Sequence, residues 1–420
     1  MKTIIAIFRD SVLRKRVLFV IGILIITRIL SVVPIPGVET QNLASFLQSN
    51  FGSFLNIFSG GGLASFSIVM LGVGPYITAS IIMQLMTVLS PRLKEMNQEE
   101  GNNGRRRFVQ YGRLLTLPFA ILQGVALITL FERQQIISEL TPVLLAQNVL
   151  IVTAGTMLMM WLGEQINERG VGNGVSLIIF AGIVATLPQV IAQYLVTFNV
   201  AQIPTLVGLI ILVLVVIAGI VYITEAERPV PTTYARQARL GAAPALGGGS
   251  SYIPLRLNQA GVVPIIFAVS MLLFPQLIGQ LLSTSANPSL QAFARTINDG
   301  LANQWIYGVV YFLLIVGFTY FYTAIMFDPA KVADNLQKNG AFIPGYRPGL
   351  ATADYIATIL ARVTLFGALF LGVVAVLPLI VKGITGIAAI AVGGTSLLIA
   401  VSVVLDLIKK VDAQLSMREY

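Results

Sequence analysis

The chain has 420 residues, of which 56% are hydrophobic and only 11% are charged, with a formal net charge of +9. Because a soluble domain carries about 25% charged residues to cover its surface, this composition excludes a soluble protein and indicates an integral membrane protein. The chain contains no histidine and no cysteine, which excludes imidazole bases, thiolate nucleophiles, disulfides and metal sites built on these side chains.

Ten apolar stretches are long enough to cross a bilayer as helices, since a transmembrane helix needs roughly 20 mostly apolar residues. The fold class we predict is therefore an all-α polytopic membrane protein. The ten predicted spans are 17–33, 68–89, 114–131, 143–163, 175–195, 205–223, 261–282, 304–327, 355–377 and 384–407.

The basic residues indicate how the chain is oriented. With the N-terminus inside, 22 of the 27 Lys and Arg residues fall on the inner side, three fall on the outer side, and Arg28 and Arg362 lie within spans. Such a bias follows the positive-inside rule and predicts that both termini are cytoplasmic. It also removes the need to explain the net charge by nucleic-acid binding.

The segment before the second span does not look like a simple loop. Residues 54–58 are apolar but too few to cross, Ser59 to Gly62 interrupt them, and Gly72-Val73-Gly74-Pro75 follows inside the apolar region. Non-helical backbone at membrane depth is tolerated where protein or a water-filled cavity surrounds it. The pattern fits a re-entrant plug or cavity lining as well as an ordinary outer loop before a kinked helix, and both interpretations remain open at this point.

Charges within the spans are scarce. Asp406 lies at the inner end of the last span, and no carboxylate is predicted deep in the membrane, which disfavours an ion-coupled transporter. The segment 164–174 contains Glu164 and Glu168 and is predicted to be a tight solvated turn with Asn173 capping the next helix. Paired carboxylates for acid–base chemistry are the alternative there.

The segment 328–353, on the predicted inner side, has proline and glycine on both sides of Tyr346-Arg347. These residues would stiffen the tip of a loop and present the arginine to solvent. The alternative is a simple turn whose arginine only follows the positive-inside rule.

Four long runs resemble the SecY family of protein-translocation channels, and the resemblance extends along essentially the whole chain. They are FSIVMLGVGPYITASIIMQL at 66–85, MWLGEQINERGVGNGVSLIIF at 160–180, ADNLQKNGAFIPGYRPG at 333–349 and GGTSLLI at 393–399.

The resemblance implies two pseudo-symmetric halves around an hourglass pore, formed by spans 1–5 (residues 1–200) and spans 6–10 (residues 201–420). It also implies a ring of aliphatic side chains at the narrowest point, which would resist ions by dewetting without binding a moving peptide strongly. The ring residues expected from it are Val73, Ile77, Val175, Ile179, Ile266 and Ile399.

Three further sites are implied by the resemblance. A plug at about 54–67 would close the outer funnel, a lateral gate would involve Gln84 and Asn258, and inner loops at 224–258 and 328–353 would dock partners. The plug residues expected are Phe54, Ile57, Phe58, Ser59, Gly60, Gly61 and Gly62, and the docking residues expected are Arg236, Arg239, Arg256 and Arg347.

The function implied is a passive channel that passes unfolded secretory proteins and releases apolar segments sideways into the bilayer, with no enzymatic activity, cofactor or metal. Expected partners are SecE-like and SecG-like membrane subunits, a SecA-type motor ATPase, signal-bearing polypeptides, lipids, and the ribosome, whose RNA would be touched only through the docking loops. The expected location is the prokaryotic inner membrane. A small-solute transporter is the main rival, and an intramembrane enzyme is disfavoured because histidine, cysteine and deep carboxylates are missing.

Overall fold

The computed structural model describes residues 10–36, 56, 59–98, 101–133, 136–137, 141–196, 203–234, 251–283, 287–385 and 388–419. Within these ranges the chain is mainly helical, with a few short strands. The helices are α1 (Ser11–Leu30), α2 (Gly74–Leu89), α3 (Pro91–Gln98), α4 (Gly101–Arg133), α5 (Pro142–Arg169), α6 (Gly174–Val196), α7 (Ile203–Glu225), α8 (Val263–Leu282), α9 (Pro288–Ala302), α10 (Gln304–Met326), α11 (Pro329–Lys338), α12 (Leu350–Thr385) and α13 (Ala388–Glu419).

The ten predicted spans overlap ten of these helices, namely α1, α2, α4 to α8, α10, α12 and α13, and the ten-span prediction is confirmed. By length and composition, four described stretches are able to cross a membrane alone, and four shorter helices are also apolar. The second span was predicted to begin at residue 68, but its helix begins at Gly74 because the preceding residues form turns.

Helix starts follow ordinary capping chemistry. The Asp10 carboxylate accepts hydrogen bonds from the backbone N–H groups of Val12 and Leu13, at 2.8 and 3.3 Å, and so caps α1. Thr141 caps α5 and Asp328 caps α11 in the same way. These side chains satisfy N–H groups that have no partner within the helix.

The chain forms two compact units, and helices α7, α8, α10 and α12 each continue from one unit into the other. Unit 1 contains Met1–Leu206, Val269–Gly308 and Pro378–Tyr420, and unit 2 contains Val207–Ala268 and Val309–Leu377. The halves 1–200 and 201–420 follow the order of the spans instead, and this division stays a prediction.

In unit 1, α4 packs against both α2 and α5, and α5 packs against α6. A buried apolar cluster joins Ile35, which follows α1, and residues 63–71 to α4 and α5. The rings of Phe66 and Phe131 meet edge-to-face within it at 4.8 Å. The cluster includes Ile35, Leu63, Phe66, Met70, Leu71, Leu127, Phe131, Val149 and Val152.

Unit 2 carries an antiparallel three-stranded sheet in the order β2-β1-β3, with β1 at Glu227–Tyr234, β2 at Ser251–Arg256 and β3 at Ala341–Phe342. Glu227 pairs with Arg256 at one end of the register. The segment 224–258 was predicted to be a loop, but the structure forms strands at both of its ends, β1 and β2. Val230, Leu255, Ile343 and Ile356 bury the sheet against the start of α12.

Candidate functional site

A chain of tight turns, which we call the hinge loop (residues 59–73), precedes α2. The Ser59 hydroxyl donates to the carbonyl of Asn56 and accepts from the N–H of Leu63, at 2.9 and 3.0 Å. Gly60 and Gly61 adopt φ values of +66° and +85°, which side chains other than glycine rarely tolerate. The predicted plug residues Ser59 to Gly62 thus form the start of this loop, while Phe54, Ile57 and Phe58 lie outside the described residues.

The second part of the hinge loop is fixed to its surroundings. The N–H of Ile35 donates to the carbonyl of Phe66 at 2.8 Å, and the N–H of Ile68 donates to the carbonyl of Val33 at 3.0 Å. On the α5 side, a Cβ atom at Gly155 would lie 2.0 Å from the carbonyl oxygen of Ile68, so the two backbones touch there. This part of the loop is a packed element of unit 1.

The first part of the hinge loop lies between α1 and α6. The Arg28 guanidinium donates a hydrogen bond through Nη1 to the carbonyl oxygen of Gly60. On the other side, a Cβ atom at Gly182 would lie 2.2 Å from the Cα of Gly60. The loop therefore contacts the guanidinium of Arg28 on α1 and the backbone of Gly182 on α6.

Five of the six predicted ring residues belong to unit 1, and Ile266 belongs to unit 2. Val73 precedes α2 and Ile77 follows one turn later, and Val175 and Ile179 have the same spacing at the start of α6. Ile399 lies on α13, which packs against α6. Val73, Ile77, Ile179, Ile266 and Ile399 are buried, and Val175 is half-buried. That the six side chains form one ring stays a prediction.

The two predicted gate residues carry buried amide atoms without hydrogen-bond partners in the described part of the chain. Asn258 is only 5% exposed, and neither its Nδ2 nor its Oδ1 has a partner there. The Oε1 of Gln84 is likewise buried and unpaired. Since a buried polar atom without a hydrogen-bond partner costs free energy, an arriving polar group would be favoured at both positions.

The predicted docking tip at Arg347 is held in place by its neighbours. The Tyr346 and Tyr355 rings stack at 4.0 Å, and the Thr352 hydroxyl donates to the carbonyl of Arg347 at 2.8 Å. The Arg347 side chain is exposed, as is Arg256 at the end of β2. Arg236 and Arg239 lie outside the residues that the structure describes.

An ion pair that the sequence did not predict joins α4 to α5. The Nε of Arg113 lies 2.6 Å from Oε1 of Glu164, whose side chain is 10% exposed. Glu164 was expected in a solvated turn, but α5 continues to Arg169, so this prediction is wrong. Asn173 does accept from the N–H groups of Val175 and Ser176, as expected for a cap.

The comparisons with known proteins agree along the chain. The sequence model of the SecY family matches residues 67–408. The protein translocase subunit SecY of Corynebacterium glutamicum is 40% identical over all of this chain and 99% of its own length. The subunit of the same name from Halalkalibacterium halodurans is 41% identical over 100% of this chain and 98% of its own length.

Solved structures share the fold at lower sequence identity. One is a SecY protein described as having a plug domain that stabilises the closed state of the translocation channel and maintains a membrane seal. It matches with a TM-score of 0.66 and 19% identity over 95% of this chain and 92% of that one. Sec61 in the canine ribosome–channel complex from the endoplasmic reticulum matches with a TM-score of 0.62 and 19% identity over the same shares.

Proposed function

This chain belongs to the SecY family, and from that membership we infer that it is the protein-conducting channel of a Sec translocase. It passes unfolded secretory proteins across the membrane and releases apolar segments into the bilayer. The observation that carries this inference is the full-length identity of about 40% to protein translocase subunits. The glycine hinge loop, which leads directly to the buried Val73 and Ile77 at the start of α2, supports the inference.

We propose that the six aliphatic residues named above form the seal. Aliphatic side chains offer an ion no hydrogen bond or charge to replace its hydration shell, so a narrow constriction of this kind resists ion flow by dewetting. The same side chains hold a passing peptide weakly, which lets it keep moving. In this proposal residues 54–67 close the constriction at rest, and Ser59 to Gly62 are the point about which residues 54–58 move, because the part from Leu63 onward is packed into unit 1.

Sorting of the passenger needs only partition energy. Each Leu, Ile, Phe or Val residue near the centre of a helix gains about 0.3 to 0.6 kcal/mol in the bilayer, whereas Arg or Lys costs about 3 kcal/mol. A sufficiently apolar segment therefore leaves into the lipid, and a polar one continues through the channel. We propose Gln84 and Asn258 as gate residues because Oε1 of Gln84 and both amide atoms of Asn258 are buried without a partner among the described residues, and a passenger backbone would supply one.

No catalytic chemistry is needed for this cycle, and we propose that the chain has none and borrows its energy from a partner. The expected partners are a SecA-type motor ATPase or the ribosome, with SecE-like and SecG-like subunits alongside. The exposed Arg347 at its braced tip supports the docking proposal, because a planar guanidinium can bind a carboxylate or phosphate through two hydrogen bonds. In this proposal both termini and the sheet lie in the cytoplasm, and the membrane is the prokaryotic inner membrane.

Reconstituted vesicles test the proposal. The full chain, copurified with its small subunits, is placed in vesicles with SecA-type motor and ATP outside. We expect a signal-bearing polypeptide to become protected from added protease, and the same polypeptide without its signal to stay accessible. Vesicles that concentrate a small solute but never protect the polypeptide would favour the transporter instead.

A further inference from the structure

Arg28 places a positive charge in the last turn of the first span, where a charged side chain needs a partner. Its partner is the carbonyl oxygen of Gly60, which accepts a hydrogen bond from Nη1. A Cβ atom at Gly61 would lie 3.4 and 3.5 Å from Nη1 and Nη2, so the guanidinium rests against two consecutive glycines. Away from the loop, Arg28 lines an apolar groove with Ile25 and Ile29, which offers it no polar alternative among the described residues.

Gly182 on α6 contacts Gly60 from another helix. A Cβ atom there would lie 2.2, 2.7 and 3.0 Å from the Cα, C and O atoms of Gly60, which are backbone atoms and cannot rotate away. Glycine inside a helix costs up to about 1 kcal/mol relative to alanine, so the close approach accounts for it better than helix formation does. Next to this contact, Thr186 Cγ2 would lie 3.6 Å from a Cβ at Gly61.

The two parts of the hinge loop are thus held differently. The part from Leu63 onward is buried in the core and bonded to the residues that follow α1. Gly60, by contrast, is held by the Arg28 hydrogen bond and the fit against Gly182, and Gly61 lies next to the side chains of Arg28 and Thr186. Contacts of the second kind can be broken without unpacking a core. They also lie where the chain enters from residues 54–58, the part proposed above to move.

We propose that Arg28 and Gly182 are the positioning residues of a latch that holds the plug in its closed position. The proposal rests on the function proposed above for residues 54–67. Helix α6 carries both Ile179 of the proposed seal and Gly182 of the latch. Ile179 lies three residues before Gly182 and therefore on the same face of the helix. A passenger that displaces this face of α6 also moves Gly182 away from the Gly60 backbone. Opening of the seal is thereby coupled to release of the plug.

Two variants weaken the latch in different ways. Arg28→Met keeps the length of the side chain but removes the hydrogen bond, and Gly182→Ala adds a methyl group where the Gly60 backbone lies. Loss of a hydrogen bond from a charged donor changes the closed-to-open ratio by about tenfold or more. Arg28→Lys keeps a charged donor and should recover part of the effect. Gly22→Ala is the matched control on α1, since a Cβ there has no atom within 4 Å, and Arg362→Met removes the exposed arginine of another span.

The assay uses the full complex in planar bilayers and vesicles. We expect both latch variants to raise resting ion conductance about tenfold. They should also increase export of a passenger with a weakened signal, which needs less binding energy once the closed state is less favoured. A residue with a purely structural role would lower export instead. Conductance and weak-signal export equal to those of Gly22→Ala in both latch variants would overturn the proposal.

Ile179→Ser separates failure of the latch from failure of the seal. If Ile179→Ser leaks and the latch variants do not, the latch is wrong and the proposed seal stands. If none of the three leaks, the sealing function proposed for this region fails as well.

A cysteine pair gives an independent test should a latch variant fold poorly. The chain has no native cysteine, so Gly61→Cys with Thr186→Cys can form a single disulfide between neighbouring positions. The φ of +85° at Gly61 strains any side chain there, but this strain is the same in the oxidised and the reduced pair, and only these two states of one protein are compared. We expect oxidation to block export and a reductant to restore it, with each single substitution unaffected by either treatment. Export at the same rate in the oxidised and reduced pair would contradict the latch, because the loop would not need to leave α6.

Discussion

Gly155→Ala perturbs the contact that fixes the hinge loop to α5. The added Cβ would lie 2.0 Å from the carbonyl oxygen of Ile68, 2.9 Å from its carbonyl carbon and 3.3 Å from the Cα of Val69. Ordinary contact begins near 3.4 Å, so the loop backbone or α5 must move by about 1.4 Å.

The loop has little freedom to move that far. The Ile68 N–H is bonded to the carbonyl of Val33 at 3.0 Å, and Val69 is fully buried. Overpacking a filled core costs about 1 to 3 kcal/mol, and because the obstacle is bonded backbone we expect about 3 kcal/mol of lost stability. Val73 lies five residues beyond Ile68, so the same shift should displace the start of α2 and raise resting conductance.

The measurement is the free energy of unfolding of the purified protein in bicelles, obtained by steric trapping, together with conductance in planar bilayers. Gly22→Ala is the control, because open space surrounds it and alanine favours a helix by up to about 1 kcal/mol. If Gly155→Ala has the same free energy of unfolding and the same resting conductance as Gly22→Ala, the described packing of the hinge loop against α5 is wrong.

Three further predictions concern the seal, the docking tip and the ion pair. Ile77→Ser combined with Ile179→Ser should raise resting ion conductance in planar bilayers, because hydroxyl groups let water enter a dry constriction; unchanged conductance would remove both residues from the seal. Arg347→Glu should impair export in reconstituted vesicles while the channel still inserts into membranes, and normal export would refute the docking role. Glu164→Gln should lower the unfolding free energy by roughly 2 kcal/mol, less than the 3 to 5 kcal/mol for a fully buried pair, since Arg113 is 40% exposed. A double-mutant cycle with Arg113→Met should then show a coupling energy, and its absence would mean that the pair contributes nothing.

The ten helices of the membrane region could be predicted from the sequence because each needs about 20 apolar residues, a signal that no tertiary contact alters. The strands at 227–234 and 251–256 were missed because Pro229, Pro231 and Pro254 argue against regular strands when pairing is unknown. The secondary structure between the spans was therefore harder to predict than the spans themselves.

Features that depend on distant partners could not be predicted at all. Glu164 looked like part of a solvated turn because its partner Arg113 lies 51 residues away on another helix. Gly182 carried no distinguishing signal either, since a glycine inside a helix predicts a close approach only once the neighbouring backbone is known. Sequence patterns supplied the polar and glycine positions, and the fold decided what each one contacts.

A photo-reactive amino acid at Ile179 tests whether the passenger crosses the membrane through the proposed constriction. A signal-bearing passenger is stalled during export by a tightly folded domain at its C-terminus, and the sample is irradiated. We expect a crosslink between position 179 and the passenger that depends on motor and ATP. The same probe at Leu214, which is exposed on the apolar helix α7, should give no passenger crosslink. Passengers that stall normally but crosslink equally at both positions, or at neither, would contradict passage through a constriction formed by Ile179.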